Sequence, residues 1–95
     1  MGELDKLEAY LKEKGIEYVR KDVKDGSILN THQLYVTKDG FYDWDAICHY
    51  GSYGYEEGLL EIMGRLVDPE KDGDTIAGWL TADEVIARIE GRNDD

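Results

Sequence analysis

The soft metal ligands of this chain are one cysteine, Cys48, and two histidines, His32 and His49. A structural zinc site needs about four such ligands close in space. Cys48 and His49 are neighbours whose side chains point to opposite faces of a strand, so the sequence predicts neither a metal site nor a cofactor. A thiol beside an imidazole could form a nucleophilic pair, and the register predicted for the two central strands places His32 diagonally across from Cys48. We expect no catalytic residue, because a buried structural thiol is commoner.

The acidic segment DPEKDGD, residues 68–74, is similar to the first half of a calcium-binding EF-hand loop. It has oxygen ligands at the first, third and fifth places and glycine at the sixth. The twelfth place is Trp79, where a bidentate glutamate is needed, and Pro69 stiffens the start. We therefore interpret the segment as a solvated connector and expect weak calcium binding or none.

Residues 48–58, CHYGSYGYEEG, combine tyrosine, serine, glycine and glutamate ahead of a predicted helix. The glycine spacing matches no phosphate-binding motif, and Glu56 and Glu57 would repel a phosphate from the first helical turn. Tyrosine, serine and glycine together give rigid aromatic area with adaptable hydrogen bonding, as in antibody paratopes. We predict Cys48 in the core and a binding surface made of Ser52, Tyr53, Tyr55, Glu56 and Glu57. The alternative is structural: the tyrosines at 50, 53 and 55 fold back over the core.

The charge of the chain is unevenly placed. The net charge is −11; residues 1–24 hold six acids and six bases, while residues 25–95 hold sixteen acids and five bases. Direct binding to nucleic acid needs clustered lysine and arginine, so this charge distribution argues against it. An acidic surface favours a basic protein partner and can steer its approach, although it also serves solubility alone.

Length and composition indicate one domain over residues 1–95, with residues 91–95 as a frayed tail. A single cysteine excludes an internal disulfide framework and suits a reducing compartment. No apolar stretch reaches the length of a signal peptide or a membrane span, so we expect no membrane association and a cytoplasmic location.

Helix signals are clear at both ends of the chain. In ELDKLEAYLKEKG, leucines 4, 7 and 11 recur at helical spacing before Gly15, a C-terminal cap. Near the other end, Thr81 and Glu84 form a capping box, Leu80 and Val85 a hydrophobic staple, and Gly91 a stop. Between these helices, EGLLEIMGRLV places residues 59, 62, 63 and 66 on one helical stripe, which predicts a further helix.

The middle of the chain predicts three strands. The first spans Ile16–Val23 and is followed by a turn at residues 24–26. THQLYV and FYDWDAIC form a hairpin, for which we predict a three-residue loop, Lys38 to Gly40, with Gly40 in the left-handed region. In that register Val36 pairs with Tyr42, Leu34 with Trp44 and His32 with Ala46. The predicted fold is α+β: a small three-stranded antiparallel sheet with one N-terminal and two C-terminal helices, in the order α-β-β-β-α-α.

Two segments, WDAICHYGSYGYEEGLLEIMG and GWLTADEVIARIE, resemble small acidic proteins encoded in prophages and mobile elements of Gram-positive bacteria. The resemblance covers the last half of the chain. It implies a phage accessory role, such as inhibition of a host or defence protein, and it brings no assigned reaction, cofactor or catalytic residue.

Three functional hypotheses follow. The first is a non-enzymatic interaction protein whose acidic surface and Tyr/Gly loop bind a basic host protein, for example at that protein's nucleic-acid site. The second is a small-molecule binder that holds a nucleotide-like ligand between the loop and the sheet. The third is a Cys48/His32 enzyme. The sequence does not define an oligomeric state.

Overall fold

The computed structural model describes residues 2–23, 31–49 and 51–91. Within these ranges the helices are α1 (Glu3–Lys14), α2 (Pro69–Asp72) and α3 (Ala82–Ile89). The strands are β1 (Val19–Val23), β2 (Thr31–Lys38), β3 (Phe41–Ile47), β4 (Leu60–Gly64) and β5 (Ile76–Leu80), and they form one antiparallel sheet in sequence order. The predicted turn at residues 24–26, Tyr50 and the tail at 92–95 lie outside the described residues. In the part of the chain that is described, no helix is long and apolar enough to cross a membrane.

The class α+β is confirmed, but the predicted three-stranded sheet is wrong because β4 and β5 extend it to five strands. The segment predicted as a helix contains β4, in which Leu60 and Ile62 are buried while Met63 on the opposite face is 44% exposed. Gly58 and Gly64 have φ angles of 74° and 96°, so left-handed residues limit this element on both sides. Pairing with β3 and β5 satisfies the β4 backbone and outweighs the helical spacing of its apolar residues.

The register of the β2–β3 hairpin also differs from the prediction. The loop has two residues, Asp39 and Gly40, whose φ angles of 55° and 84° are those of a type I′ turn. A bulge between Val36 and Thr37 then restores the alternation, so that Val36 pairs with Trp44 and Leu34 pairs with Ala46. The positive φ of Gly40 is confirmed, and the four residues predicted to face the core are buried: Leu34, Val36, Trp44 and Ala46.

Both terminal helices begin and end as predicted. At Gly15, φ is 70°, and its N–H and that of Ile16 donate to the last carbonyls of α1. Thr81 Oγ1 accepts from the Glu84 N–H at 3.2 Å, while Glu84 Oε1 accepts from the Thr81 N–H at 2.8 Å. Both helices pack on one face of the sheet, where the core residues are Leu4, Leu7, Leu11, Leu34, Val36, Trp44, Ala46, Leu60, Ile62, Leu66, Val67, Leu80, Ala82 and Val85.

The opposite face of the sheet is not covered by these helices. The pairing aligns one row of side chains across it: Val19, Tyr35, Asp45, Met63 and Ile76. Asp45 is buried on this face, and the cost of burying its carboxylate is offset by hydrogen bonds from Gln33 Nε2 at 3.0 Å and from the Tyr42 hydroxyl. Burial and that carboxylate raise the pKa of Tyr42 strongly, so the phenol stays a donor. Asp45 therefore contributes little negative surface to this face.

Gly40→Val should destabilise the protein by about 1–2 kcal/mol, because a β-branched residue is strained in the left-handed region. A Cβ at this position meets no atom within 4 Å, so the expected loss comes from backbone strain rather than from a collision of the Cβ. Urea denaturation of this variant beside Gly40→Asn checks it, since asparagine tolerates the left-handed region. Equal stability of the valine and asparagine variants would contradict the turn type.

Candidate functional site

Between β3 and β4, the described residues 48–49 and 51–59 form a loop that returns over the face of the sheet opposite the helices. Its entry is fixed by Ser52: Oγ accepts from the His49 N–H at 3.0 Å and donates to the His49 carbonyl at 2.8 Å. The Ser52 N–H donates to the same carbonyl at 2.9 Å. Ser52, predicted as a contact residue, is therefore largely committed to holding the loop.

Tyr53 is connected to both β4 and β5 through its backbone. Its N–H donates to Glu61 Oε1 at 2.8 Å, and its carbonyl accepts from the Trp79 N–H at 3.3 Å. Glu61 is only 8% exposed, and burial of a carboxylate costs free energy unless it is hydrogen-bonded. The hydrogen bond from the Tyr53 N–H offsets part of this cost. The loop is thereby held against the sheet at Tyr53.

The Tyr53 and Trp79 rings stack on each other, with centroids 5.1 Å apart and planes 11° from parallel. This is an offset-stacked geometry that aromatic pairs favour. The two side chains nevertheless remain 47% and 56% exposed. We call this pair the aromatic ridge; it is an ordered apolar feature on a strongly acidic protein.

A bulge in β5 places Trp79 on the ridge. Leu60 pairs with Leu80 and Ile62 with Ala77, which leaves Gly78 and Trp79 opposite the single residue Glu61. Trp79 has a φ of 56°, an uncommon and strained conformation for a bulky residue. A Cβ at Gly78 would collide with the Cβ of Tyr53, so glycine is required for the loop to approach this strand.

An open groove of about 480 Å³ lies beside the ridge. We call it the acidic groove; its lining is Gly51, Ser52, Tyr53, Gly54, Tyr55, Glu56, Glu57 and Trp79. Tyr55, Glu56 and Glu57 form a single 3-10 turn, and both glutamates are exposed. Neither glutamate has an ion-pair partner among the residues that the structure describes. Their charges are available to a cation that enters the groove.

The structure brings all five predicted site residues together at the acidic groove: Ser52, Tyr53, Tyr55, Glu56 and Glu57. The sequence did not predict Trp79 as a site residue; it was considered only because it stands where a calcium-binding loop needs a glutamate. Sequence reasoning also missed Gly78 and Glu61, which position the ridge. The dipeptide Gly78-Trp79 directly before a capping box was the available signal, because glycine inside a strand indicates a bulge or a close backbone approach.

The Cys48/His32 pair has no nucleophilic geometry. The two residues lie directly across the strands, since the Cys48 N–H donates to the His32 carbonyl at 2.9 Å. His32 Nδ1 lies 2.7 Å from Asp22 Oδ1, and within the described residues no hydrogen bond joins the thiol to an imidazole. Burial raises the pKa of the Cys48 thiol, which disfavours the thiolate. The hypothesis of a Cys48/His32 enzyme gains no support.

The connector before β5 is occupied by structural interactions. Asp68 is the N-cap of α2 and accepts from the Glu70 N–H at 3.0 Å. Asp72 receives two hydrogen bonds from the Arg88 guanidinium, at 2.9 and 3.0 Å, which hold the pKa of its carboxyl below the usual range. In the part of the chain the structure covers, no group of three or more His, Cys, Asp or Glu side chains could hold a metal ion.

The chain was compared with protein-family models, curated proteins and solved structures, and none of the three comparisons found a match.

Proposed function

We propose that this protein is a non-enzymatic interaction protein that binds a basic partner protein through the aromatic ridge and the acidic groove. The observation behind the proposal is that Tyr53 and Trp79 are held in a stack and yet remain about half exposed, at 47% and 56%. Tyrosine and tryptophan are enriched among the residues that dominate binding energy at interfaces. Pre-ordered aromatic side chains lose little conformational freedom on binding.

The backbone of Trp79 supports the same proposal. Its left-handed conformation costs roughly 1–2 kcal/mol, a cost that glycine at this position would avoid. Strained residues concentrate at functional sites, where the surrounding structure holds them. At Trp79 the strained backbone conformation accompanies an exposed indole that stacks on Tyr53.

The charge of the groove supports a basic partner. The exposed carboxylates of Glu56 and Glu57 lie beside the ridge, and a lysine or arginine over an aromatic face gains a cation–π attraction. The net charge of −11 also attracts a basic surface at long range and speeds its association. Aromatic anchors bordered by charge match the usual organisation of an interface.

The biological role we propose is that of a phage accessory protein that inhibits a basic host or defence protein. An acidic surface that covers the nucleic-acid site of its target would act by competition. This role follows from the charge and from the resemblance to acidic prophage proteins, whereas the ridge and groove support only the binding surface itself.

A small-molecule binder is the second candidate. The groove volume of about 480 Å³ lies within the usual range of ligand pockets, roughly 300–1,000 Å³. Glu56 and Glu57 oppose a phosphate-bearing nucleotide, so a cationic or neutral aromatic ligand fits better than a nucleotide. A ligand-dependent rise in Tm without any basic protein partner would favour this candidate.

The experiment that tests the proposal is capture of proteins from a Gram-positive bacterial lysate at low salt. The test variant is Glu56→Gln/Glu57→Gln. The control is Glu13→Gln/Glu17→Gln, which also removes two exposed negative charges by two substitutions, but away from the groove. We expect a basic protein whose recovery falls with added salt and with the test variant, but not with the control. Equal recovery by both variants would contradict the assigned surface.

A further inference from the structure

His49 supplies a side-chain acceptor where the β2–β3 ladder ends. The ladder pairs Gln33 with Ile47, and the next N–H, that of His32, donates to His49 Nδ1 at 3.0 Å. The Cys48 N–H completes this end of the hairpin by donating to the His32 carbonyl at 2.9 Å. Because Nδ1 accepts, the proton of the neutral ring is on Nε2.

The same histidine holds the start of the loop that carries the ridge. Its N–H and its carbonyl both bond to Ser52, the residue directly before Tyr53. The position of the His49 ring and the path of the chain into Tyr53 are thus mechanically linked. A protonated imidazole has a donor at Nδ1 and cannot accept from the His32 N–H.

We propose that His49 is a pH-dependent switch: its protonation breaks the hydrogen bond from the His32 N–H, loosens the contacts between His49 and Ser52 and disorders the aromatic ridge. The consequence for binding rests on the proposed function, whereas the structural transition does not. The partner would be held at neutral pH and released in mildly acidic conditions.

The charged surroundings of His49 set the direction of the transition. Burial is the largest effect and lowers the pKa of His49 below its usual value near 6.5, and the neighbouring His32 on β2 lowers it further. Glu61 on β4 and Asp45 on β3 oppose this by favouring the charged ring. Asp22 on β1 contacts His32 rather than His49. The neutral, hydrogen-bonded form is therefore dominant at pH 7.

The effect on stability follows from that direction. The folded pKa of His49 lies below the unfolded pKa, so the unfolded chain takes up the proton first as the pH falls. The stabilisation from neutral His49 is fully present above about pH 6.5 and is lost as the pH falls toward the folded pKa.

The test is a pH titration of the near-ultraviolet circular dichroism of the Tyr53/Trp79 stack, downward from about pH 7.5 through the protonation of His49. His49→Asn keeps an acceptor near the Nδ1 position but does not titrate, and His49→Ala has no acceptor. We expect the wild-type signal to fall with acid, the asparagine variant to keep its signal, and the alanine variant to show a weakened signal throughout. An acid-induced loss of equal size in wild type and His49→Asn would overturn the proposal.

A second measurement on the unmodified protein covers the case in which a variant fails to fold. The ¹⁵N shifts of the His49 ring should show an unprotonated Nδ1 at neutral pH, whose protonation coincides with the loss of the stack signal. A ring protonated at Nδ1 at neutral pH would overturn the proposal. Binding of an arginine-rich peptide is measured in parallel: absence of binding at every pH contradicts the proposed function, while the dichroism still decides the switch.

Discussion

Gly64→Ala is expected to cost about 3 kcal/mol or more of folding free energy, the largest loss of stability that we predict. A Cβ at this position would lie 2.6 Å from the Asp43 carbonyl oxygen and 2.8 Å from Trp44 Cα. Both atoms belong to the backbone of β3 and cannot move without breaking the pairing of β3 with β4. The φ of 96° adds the strain of a left-handed residue.

Thermal and urea denaturation of Gly64→Ala measure this effect, with Gly73→Ala as the control variant. Gly73 also has a positive φ, 74°, but a Cβ there would meet no atom within 4 Å. The control therefore shares the conformational strain and lacks the collision. We expect Gly64→Ala to lower Tm by at least about 10 °C more than the control. A similar loss in both variants would mean that β3 and β4 do not approach as described.

Trp79→Gly is expected to weaken binding of the basic partner by about 1–3 kcal/mol, roughly fivefold to 150-fold in affinity, while changing stability little. The substitution removes one of the two aromatic anchors. It also relieves the left-handed strain, which offsets the lost stacking with Tyr53 and the extra freedom of glycine in the unfolded chain. Binding and stability should thus separate at this position.

Trp79→Ala is the matched comparison, because it removes the ring and keeps the strain. We expect the alanine variant to be about 1 kcal/mol less stable than the glycine variant and to bind equally weakly. Calorimetry for affinity and urea denaturation for stability provide the two readouts. Alanine and glycine variants of equal stability would contradict the left-handed backbone, and unchanged affinity would remove Trp79 from the interface.

The parts of the fold that the sequence predicted are those specified locally. The leucines of α1, the capping box of Thr81 and Glu84 and the left-handed Gly40 all depend on residues close in the chain. The burial of Leu34, Val36, Trp44 and Ala46 followed from two-residue alternation, which is preserved because the observed register differs from the predicted one by two residues. The bulge at the hairpin moved an extra residue from the loop into the strand, and no local signal distinguishes these two arrangements.

The helix predicted over β4 shows where local reasoning ends. Residues 59, 62, 63 and 66 have helical spacing, and Glu61 followed by Arg65 four positions later also suits a helix. In the structure Glu61 is buried under the loop, and Arg65 pairs with Asp43 at 2.7 Å. Asp43 lies 22 positions from Arg65, and Tyr53, whose N–H donates to Glu61, lies eight positions from it, so neither contact lies within a helical turn. Strand pairing on both sides of β4 therefore decided its structure, which periodicity alone could not indicate.

The candidate site was predictable in its composition but not in its geometry. The tyrosine, serine, glycine and glutamate content of residues 51–57 is by itself typical of a contact loop. Its partner across the ridge, Trp79, is distant in sequence and reaches the loop only because of a bulge in β5. The roles of Ser52 and His49 likewise depend on hydrogen bonds that composition does not specify.

The central claim, that the aromatic ridge is a binding surface, is tested most directly by Tyr53→Ala. Its Tm and its affinity for the basic protein captured from the lysate are measured together, with Phe41→Ala as the control. Phe41 is 76% exposed at the opposite end of β3, so its removal deletes an exposed aromatic ring away from the site.

We predict that Tyr53→Ala weakens binding by about 1–3 kcal/mol with a small change in Tm, and that Phe41→Ala alters neither quantity. A large fall in the Tm of Tyr53→Ala, with unchanged affinity per folded molecule, would show instead that the tyrosine only stabilises the fold.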